Sequence, residues 1–147
     1  MDADELARAC ADAMYSDDRA SGSLGMSLDE VSAGRAVMFM TVRDDMLNSH
    51  GLCHGGLIFT LADSAFAYAC NSQNQNTVAS GVRVEFLATA HLGDTLTALA
   101  EQVSQAGRTG IYDVRVSNQN NKVVALFRGN SHRIGGALVN ESTGEPV

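Results

Sequence analysis

The longest apolar segment of the chain has helical spacing and lies near its middle. Between Gly55 and Cys70, apolar residues fall on both sides of the helix that this spacing predicts. One side carries Leu57, Ile58, Leu61, Ala62, Ala65 and Ala69, and the other carries Phe59, Phe66, Ala67 and Cys70. The segment is shorter than the roughly 20 residues that cross a membrane, and Asp63 interrupts it. It therefore predicts a buried helix of a soluble protein.

Alternating apolar positions rich in valine and threonine predict six strands around this helix. Two short strands precede it and are joined by the Ala33-Gly34 turn, and four strands follow it. The predicted strands are residues 26–31, 35–42, 78–87, 95–105, 109–117 and 122–132. Residues 4–15 are amphipathic and predict a peripheral helix, whereas residues 21–25 are predicted to form a turn-rich break.

These elements predict an α+β fold in one domain, residues 1–147. An antiparallel sheet is expected to wrap around a long central helix, with an N-terminal peripheral helix outside. The 147 residues, of which 45% are hydrophobic, suit one core and leave no room for a second domain. Gly55-Gly56 does not form a G-x-G-x-x-G pattern, and no lysine follows at P-loop spacing, so those nucleotide-binding motifs are absent.

The charge of the chain argues against general attraction to polyanions. The formal net charge is -7 and the isoelectric point is near 4.8. Nucleic acid and anionic lipid would therefore be repelled at long range, and we expect neither as a partner. A polyanionic ligand would need a local basic patch.

Cysteine usage and the N-terminal sequence favour a reducing compartment. Cys10, Cys53 and Cys70 form an odd set without zinc-ligand spacing, so neither a disulfide framework nor a metal site is predicted. Residues 1–15 are acidic and lack the basic flank and continuous apolar core of a secretory signal. We therefore expect a cytoplasmic protein.

The segment from Asn48 to Asp63, NSHGLCHGGLIFTLAD, resembles the signature of hotdog-fold thioesterases, in particular the phenylacetic acid degradation (PaaI-type) family. The likeness continues through residues 65–72, 93–98, 109–113 and 125–136, which is nearly the whole domain. The resemblance implies a hotdog fold and a hydrolase of phenylacetyl-CoA and its ring-hydroxylated derivatives in phenylacetate catabolism. It implies neither a metal nor a separate cofactor, because coenzyme A is part of the substrate.

The resemblance also implies roles for four residues of this segment. Asp63 would be the nucleophile or general base, Gly55 the donor to the oxyanion, and Asn48 and His54 positioning residues. Arg83 departs from the pattern, because relatives often carry a small hydroxyl residue there, close to the carboxylate. Arg83 would either face away as a solvated residue or pair with Asp63 and hold it ionised.

Physical reasoning supports a special role for Asp63. It is the only acidic residue between Asp45 and Glu85, and it interrupts an otherwise apolar helix. A carboxylate in such a place is costly to bury unless it is paired or used in function. The alternative is a structural aspartate that hydrogen-bonds a neighbouring loop.

Gly55 lies where the buried helix should begin. Its free N–H and the positive end of the helix dipole could polarise a thioester carbonyl, although a glycine pair can also simply permit a tight entry into the helix. Eight residues separate Gly55 from Asp63, about 12 Å along a helix, so one chain cannot bring both groups to one carbonyl. A two-fold dimer with antiparallel central helices would bring Gly55 of one chain and Asp63 of the other to one carbonyl. The resemblance implies that two such dimers form a homotetramer.

Three arginines are candidates for binding the phosphates of coenzyme A: Arg83, Arg108 and Arg128. Lys122 and Arg133 could add to the same basic patch, although charged strand residues are often only solvated.

Other functions remain open from the residues alone. A hotdog hydratase or dehydratase would act on the acyl chain without releasing thiol, and a binding module would hold acyl-CoA without turnover. Cys53 beside His54 suggests a Cys-His nucleophile, but neighbouring side chains usually diverge and no recognised nucleophile motif surrounds them. Asn48 could be only a turn residue, and His50 is expected to be structural.

Overall fold

The computed structural model describes all 147 residues, Met1–Val147, and contains one six-stranded antiparallel sheet. The strands are β1 Ser27–Ser32, β2 Arg35–Thr41, β3 Thr77–Phe86, β4 Thr95–Ala106, β5 Thr109–Ser117 and β6 Val123–Arg133. Their order across the sheet is β1-β2-β4-β5-β6-β3. The helices are α1 Ala3–Asp17, α2 Arg19–Ser23 and α3 Gly55–Cys70. All six predicted strands and both predicted helices are confirmed, with bounds within two residues.

Helix α3 lies across one face of the sheet and forms the core with it. It contacts every strand, most extensively β2, β4 and β5. Alternate residues of the strands point at α3 and are buried, among them Met38, Ala98, Val114, Ala125 and Phe127. Alanines on both sides of the contact let helix and sheet approach closely. The sheet therefore wraps around α3 as the predicted hotdog fold requires. None of the three helices is long and apolar enough to span a membrane.

The short helix α2 overlaps the segment predicted to be a break, so that part of the prediction was wrong. Asp18 caps α2 by accepting hydrogen bonds from the backbone and side chain of Ser21. The same carboxylate accepts a bond from Tyr68 in α3, and Ser21 also bonds Ser64 of α3. These tertiary hydrogen bonds stabilise a helix too short to be stable alone, which local sequence cannot reveal.

Strand β3 is an edge strand with apolar side chains on the helix side. It pairs only with β6, and Val82, Val84 and Phe86 lie opposite Gly129, Phe127 and Ala125, whose positions face α3. Val82 is nevertheless 42% exposed and Phe86 51% exposed. The sheet therefore ends in an unpaired backbone edge beside uncovered apolar side chains, a combination that favours association with another chain.

Candidate active site

His54 controls how α3 begins. It is the N-cap residue, and its Nδ1 accepts a hydrogen bond from the Gly56 N–H at 2.9 Å. Its carbonyl accepts the Leu57 and Ile58 N–H groups. Because Nδ1 is an acceptor here, the imidazole carries no proton on that nitrogen. A histidine thus performs the capping function that serine or aspartate more often performs.

The two glycines at the start of α3 each have a close side-chain neighbour. A Cβ on Gly56 would lie 3.0 Å from His54 Nδ1, and a Cβ on Gly55 would lie 3.3 Å from the Phe86 ring. Of the first amides of the helix, the one on Gly55 has no acceptor in the chain. An N–H at a helix N-terminus carries partial positive charge, so this group can bind an oxyanion.

Replacing His54 tests this cap. His54→Ala is expected to lower the free energy of unfolding by about 1 kcal/mol, because the Gly56 N–H loses its acceptor. His54→Asn should keep most of the wild-type stability, since its side-chain oxygen can accept the same hydrogen bond. Equilibrium unfolding in urea measures both variants. An alanine variant as stable as the wild-type protein would contradict the capping role.

Asp63 lies two turns after Gly55 on the same side of α3. Residues 55, 59 and 63 are spaced by four and share a helix face. Gly55 contacts Phe86 of β3, and Phe59 contacts Phe127 of β6, so this face points toward the β6 and β3 side of the sheet. Asp63 is half-buried, and burial raises the pKa of its carboxyl. No cation of the chain offsets this effect.

The nearby cysteines do not act as nucleophiles in this arrangement. Cys53 is buried, its Sγ contacts the His54 carbonyl rather than the imidazole, and burial with the charge of Asp94 raises the pKa of its thiol. Burial, aided by the Asp63 carboxylate, raises the pKa of Cys70 to about 12. Both thiols therefore stay protonated at neutral pH, and the Cys-His alternative is not supported. Cys10 is also buried, and all three cysteines are free.

Asn48 shapes the loop that leads into α3. Its Oδ1 accepts hydrogen bonds from the His50 and Leu52 amides at 2.9 and 3.2 Å, and its own N–H donates to the Leu52 carbonyl. The His54 N–H then donates to the Met46 carbonyl. Asn48 and His54 thus each fix backbone near the Gly55 amide, whereas His50 is exposed.

The three candidate arginines lie away from Asp63. Arg83 and Arg128 are opposite one another on β3 and β6, on the sheet face that points away from α3. Arg83 pairs with Glu85 at 2.9 Å, and Arg128 with Asp113 at 2.6 Å. Arg83 therefore does not contact Asp63 within the chain. Arg108 lies exposed in the turn between β4 and β5.

A surface groove of about 810 Å³ lies on this same outer face and includes both ion pairs. The two ion pairs are accessible to water, so their attraction contributes little to stability, and Glu101 and Arg115 in the same groove form no ion pair. It contains neither an unengaged helix N-terminus nor a desolvated acid. The chemistry of the site therefore points to the α3 region rather than to this groove.

Two aromatic residues near the site were not assigned by sequence reasoning. Phe86 lies against Gly55, and Phe59 lies midway between Gly55 and Asp63 with its ring 5.6 Å from that of Phe127. Phe59 could have been found from its four-residue spacing to both groups. The contact of Phe86 required the pairing of β3 with β6, which the strand pattern does not specify.

Comparison with known proteins supports the fold and shows the family. The sequence profile of the thioesterase superfamily matches residues 50–125. The acyl-coenzyme A thioesterase PaaI of Escherichia coli K12 is 51% identical over 132 residues, which cover 90% of this chain and 94% of the relative. The solved structure of E. coli PaaI superposes with a TM-score of 0.91 at 50% identity, covering 92% of this chain and 98% of the other.

A solved structure of lower sequence identity contains a bound ligand. A Streptococcus mutans UA159 protein bound to acetyl CoA has a TM-score of 0.74 at 28% identity, covering 76% of this chain and 90% of the other. The matched profile includes Gly55 and Asp63, the whole of α3 and strands β3 to β5. Sequence and fold thus agree, and the chain belongs to the thioesterase superfamily.

Proposed function

We propose that this protein is an acyl-CoA thioesterase that hydrolyses aryl-acyl-CoA thioesters to free acid and coenzyme A. The observation that carries the proposal is the unengaged Gly55 N–H at the start of α3, on the same helix face as the desolvated Asp63. The substrate class rests on similarity to the E. coli acyl-coenzyme A thioesterase, a protein from the phenylacetic acid degradation operon. We infer phenylacetyl-CoA and its ring-hydroxylated derivatives as substrates in phenylacetate catabolism.

The proposed reaction centre is shared between two chains. Eight residues of helix place Asp63 about 12 Å from Gly55, whereas reacting groups must come within about 3.5 Å of the carbonyl. A two-fold dimer with antiparallel α3 helices places Gly55 of one chain beside Asp63 of the other, which gives two equivalent centres. The unpaired β3 edge and the exposed Val82 and Phe86 provide an apolar surface for this association.

In the proposed mechanism, Gly55 N–H binds the thioester carbonyl oxygen and stabilises the negative charge that develops on it. Asp63 of the other chain either removes a proton from the attacking water or attacks the carbonyl carbon itself. In the second route the carbon–sulfur bond breaks, a mixed anhydride forms, and water then hydrolyses it. In both routes coenzyme A leaves as a thiolate that takes up a proton.

Mixed dimers test whether the centre is shared. Asp63→Asn and Gly55→Pro chains, each inactive alone, are refolded together at equal concentration. Random pairing places half of the chains in mixed dimers with one intact centre, so about a quarter of wild-type activity should return. If each chain supplied both groups to its own centre, mixing would restore no activity.

The pH dependence follows from the burial of Asp63. Burial raises the pKa of this carboxyl, and both roles require its ionised form. The value of kcat/KM should therefore fall as the pH drops through the raised pKa, with an acid limb above the range of an exposed aspartate. Thiol release from phenylacetyl-CoA across acid and neutral pH measures this. An acid limb at the ordinary aspartate position would contradict it.

A panel of acyl-CoA substrates separates the candidate functions. Release of free thiol from aryl-acyl-CoAs supports the thioesterase. Hydration of an enoyl-CoA without thiol release would indicate a hydratase, and tight binding without turnover would indicate a binding module. A half-buried acid and a free helix N-terminus, brought together in the proposed dimer, favour hydrolysis, because these are the groups that thioester cleavage needs.

The remaining features of the proposal concern recognition and assembly. Arg83, Arg108 and Arg128 are proposed to bind the phosphates of coenzyme A, and loss of affinity for free coenzyme A on substitution by Gln would support this. Further association into a homotetramer is proposed by resemblance, as is a cytoplasmic location. Sedimentation velocity of the full chain measures its assembly.

A further inference from the structure

The Phe59 ring has an unusual position in α3. It is partly exposed, although it belongs to an aromatic cluster in which Phe127 contacts both Phe59 and Phe66 at 5.6 Å between ring centroids. Phe66 is 1% exposed, so the cluster that supports the Phe59 ring is fixed in the core. Phe127, which contacts the Phe59 ring, is paired with Val84 of the edge strand β3. A fixed ring with a free face can contact a ligand or another chain.

Position 59 has a special place in the proposed shared centre, on which this inference rests. When position 55 of one helix faces position 63 of an antiparallel partner, the residue halfway between these two positions lies at the two-fold axis. That midpoint is residue 59. Each Phe59 is then four residues, about 6 Å along the helix, from the groups of both reaction centres.

We propose that Phe59 of both chains lies at the two-fold axis and forms the inner wall of both acyl sites, where its ring selects aryl over alkyl acyl groups. The aromatic part of a phenylacetyl group follows the reacting carbonyl by one methylene. Its ring therefore falls within the distance of about 4.5–7 Å at which aromatic rings interact favourably. A linear acyl chain gains no such ring contact.

Selectivity is the first test. Phe59→Leu keeps an apolar side chain but removes the ring. We expect the ratio of kcat/KM for phenylacetyl-CoA to kcat/KM for hexanoyl-CoA to fall about 2- to 12-fold, the value of one aromatic pair. The matched control is Phe66→Leu, which removes a ring from the same cluster on its enclosed side and should leave the ratio unchanged.

Cross-linking is the second test and needs no enzyme activity. Phe59→Cys should be joined to its partner by a short bis-maleimide, because the two positions meet at the axis. Ala67→Cys lies on the same helix side, but the two copies would be about 24 Å apart along the antiparallel pair and should not be joined. Both variants carry Cys70→Ala, which removes the native thiol nearest position 67. The wild-type chain, whose native cysteines are buried, measures the background of cross-linking.

The two tests distinguish the possible failures. An unchanged substrate ratio in Phe59→Leu overturns the selectivity role, and cross-linking at Ala67→Cys but not at Phe59→Cys overturns the position of the axis. A wild-type protein that releases no thiol from any acyl-CoA would instead refute the proposed function. The expected result is cross-linking at position 59 together with a reduced aryl preference in Phe59→Leu.

Discussion

Asp63→Asn should lower kcat for phenylacetyl-CoA by about 10²- to 10⁴-fold, the range of a lost general base. The amide has nearly the same shape but can neither take the proton of the attacking water nor form an anhydride. Asp63→Ala should be similarly impaired. Thiol-release kinetics under saturating substrate measure both variants.

The control for this experiment is Asp12→Asn, which removes a carboxylate from an exposed position of α1. It should keep wild-type turnover, because α1 lies on the periphery. Unchanged kcat in both Asp63 variants would remove Asp63 from the mechanism.

The folding stability of Asp63→Asn should rise, whereas its activity falls. Burial raises the folded-state pKa of Asp63, so its contribution to stability is present at low pH and is lost as the pH rises through that pKa. Asp63→Asn removes the desolvated charge and should raise the melting temperature at neutral pH. The gain should vanish at a pH where the wild-type carboxyl is protonated. Loss of activity together with a gain of stability would separate a chemical role from misfolding.

Gly55→Pro should lower kcat about 10²- to 10³-fold, because it removes the single N–H proposed to bind the oxyanion. Proline is well tolerated at the first position of a helix. The preceding residue must be extended, and His54 already has φ -60° and ψ 128°. The substitution thus removes the donor with little demand on the backbone. Steady-state kinetics of thiol release measure the loss.

Gly55→Ala is the matched control for this change. Both substitutions place a Cβ 3.3 Å from the Phe86 ring, so both require that side chain to move. Only alanine keeps the N–H. Gly55→Ala should therefore retain most of the turnover that Gly55→Pro loses. Equal losses in the two variants would attribute the effect to crowding against Phe86 rather than to the oxyanion.

Much of the fold could be predicted from the sequence because its patterns are local. The apolar run that became α3 and the alternation that became β4 and β5 depend on residues a few positions apart. Helix α2 was missed because it depends on Asp18 bonding Tyr68, a residue 50 positions away. The order of the strands likewise could not be read from the pattern, since β3 pairs with the last strand rather than with its neighbour β4.

The candidate site could be predicted only in part. Asp63 stood out because a single acid interrupts an apolar helix, and Gly55 because a glycine pair precedes it. The direction of Arg83 could not be predicted, since it depends on the pairing register that places Arg83 opposite Arg128 on the outer face. The sequence also allowed Cys53 as a nucleophile, and that alternative is weakened by the direction of its thiol toward the His54 carbonyl and by the burial that raises its pKa.

The sequence by itself determined the six strands, the helices α1 and α3, the family and the two groups proposed to react, because periodicity, charge and motif are properties of neighbouring residues. The tertiary structure decided which amide remains free. His54 engages the Gly56 N–H and its carbonyl engages the next two, which leaves only Gly55 unengaged. It also decided that the sheet ends at β3, whose Phe86 lies against Gly55 at the start of α3. Those outcomes depend on contacts between distant residues, and such contacts exist only once the chain is folded.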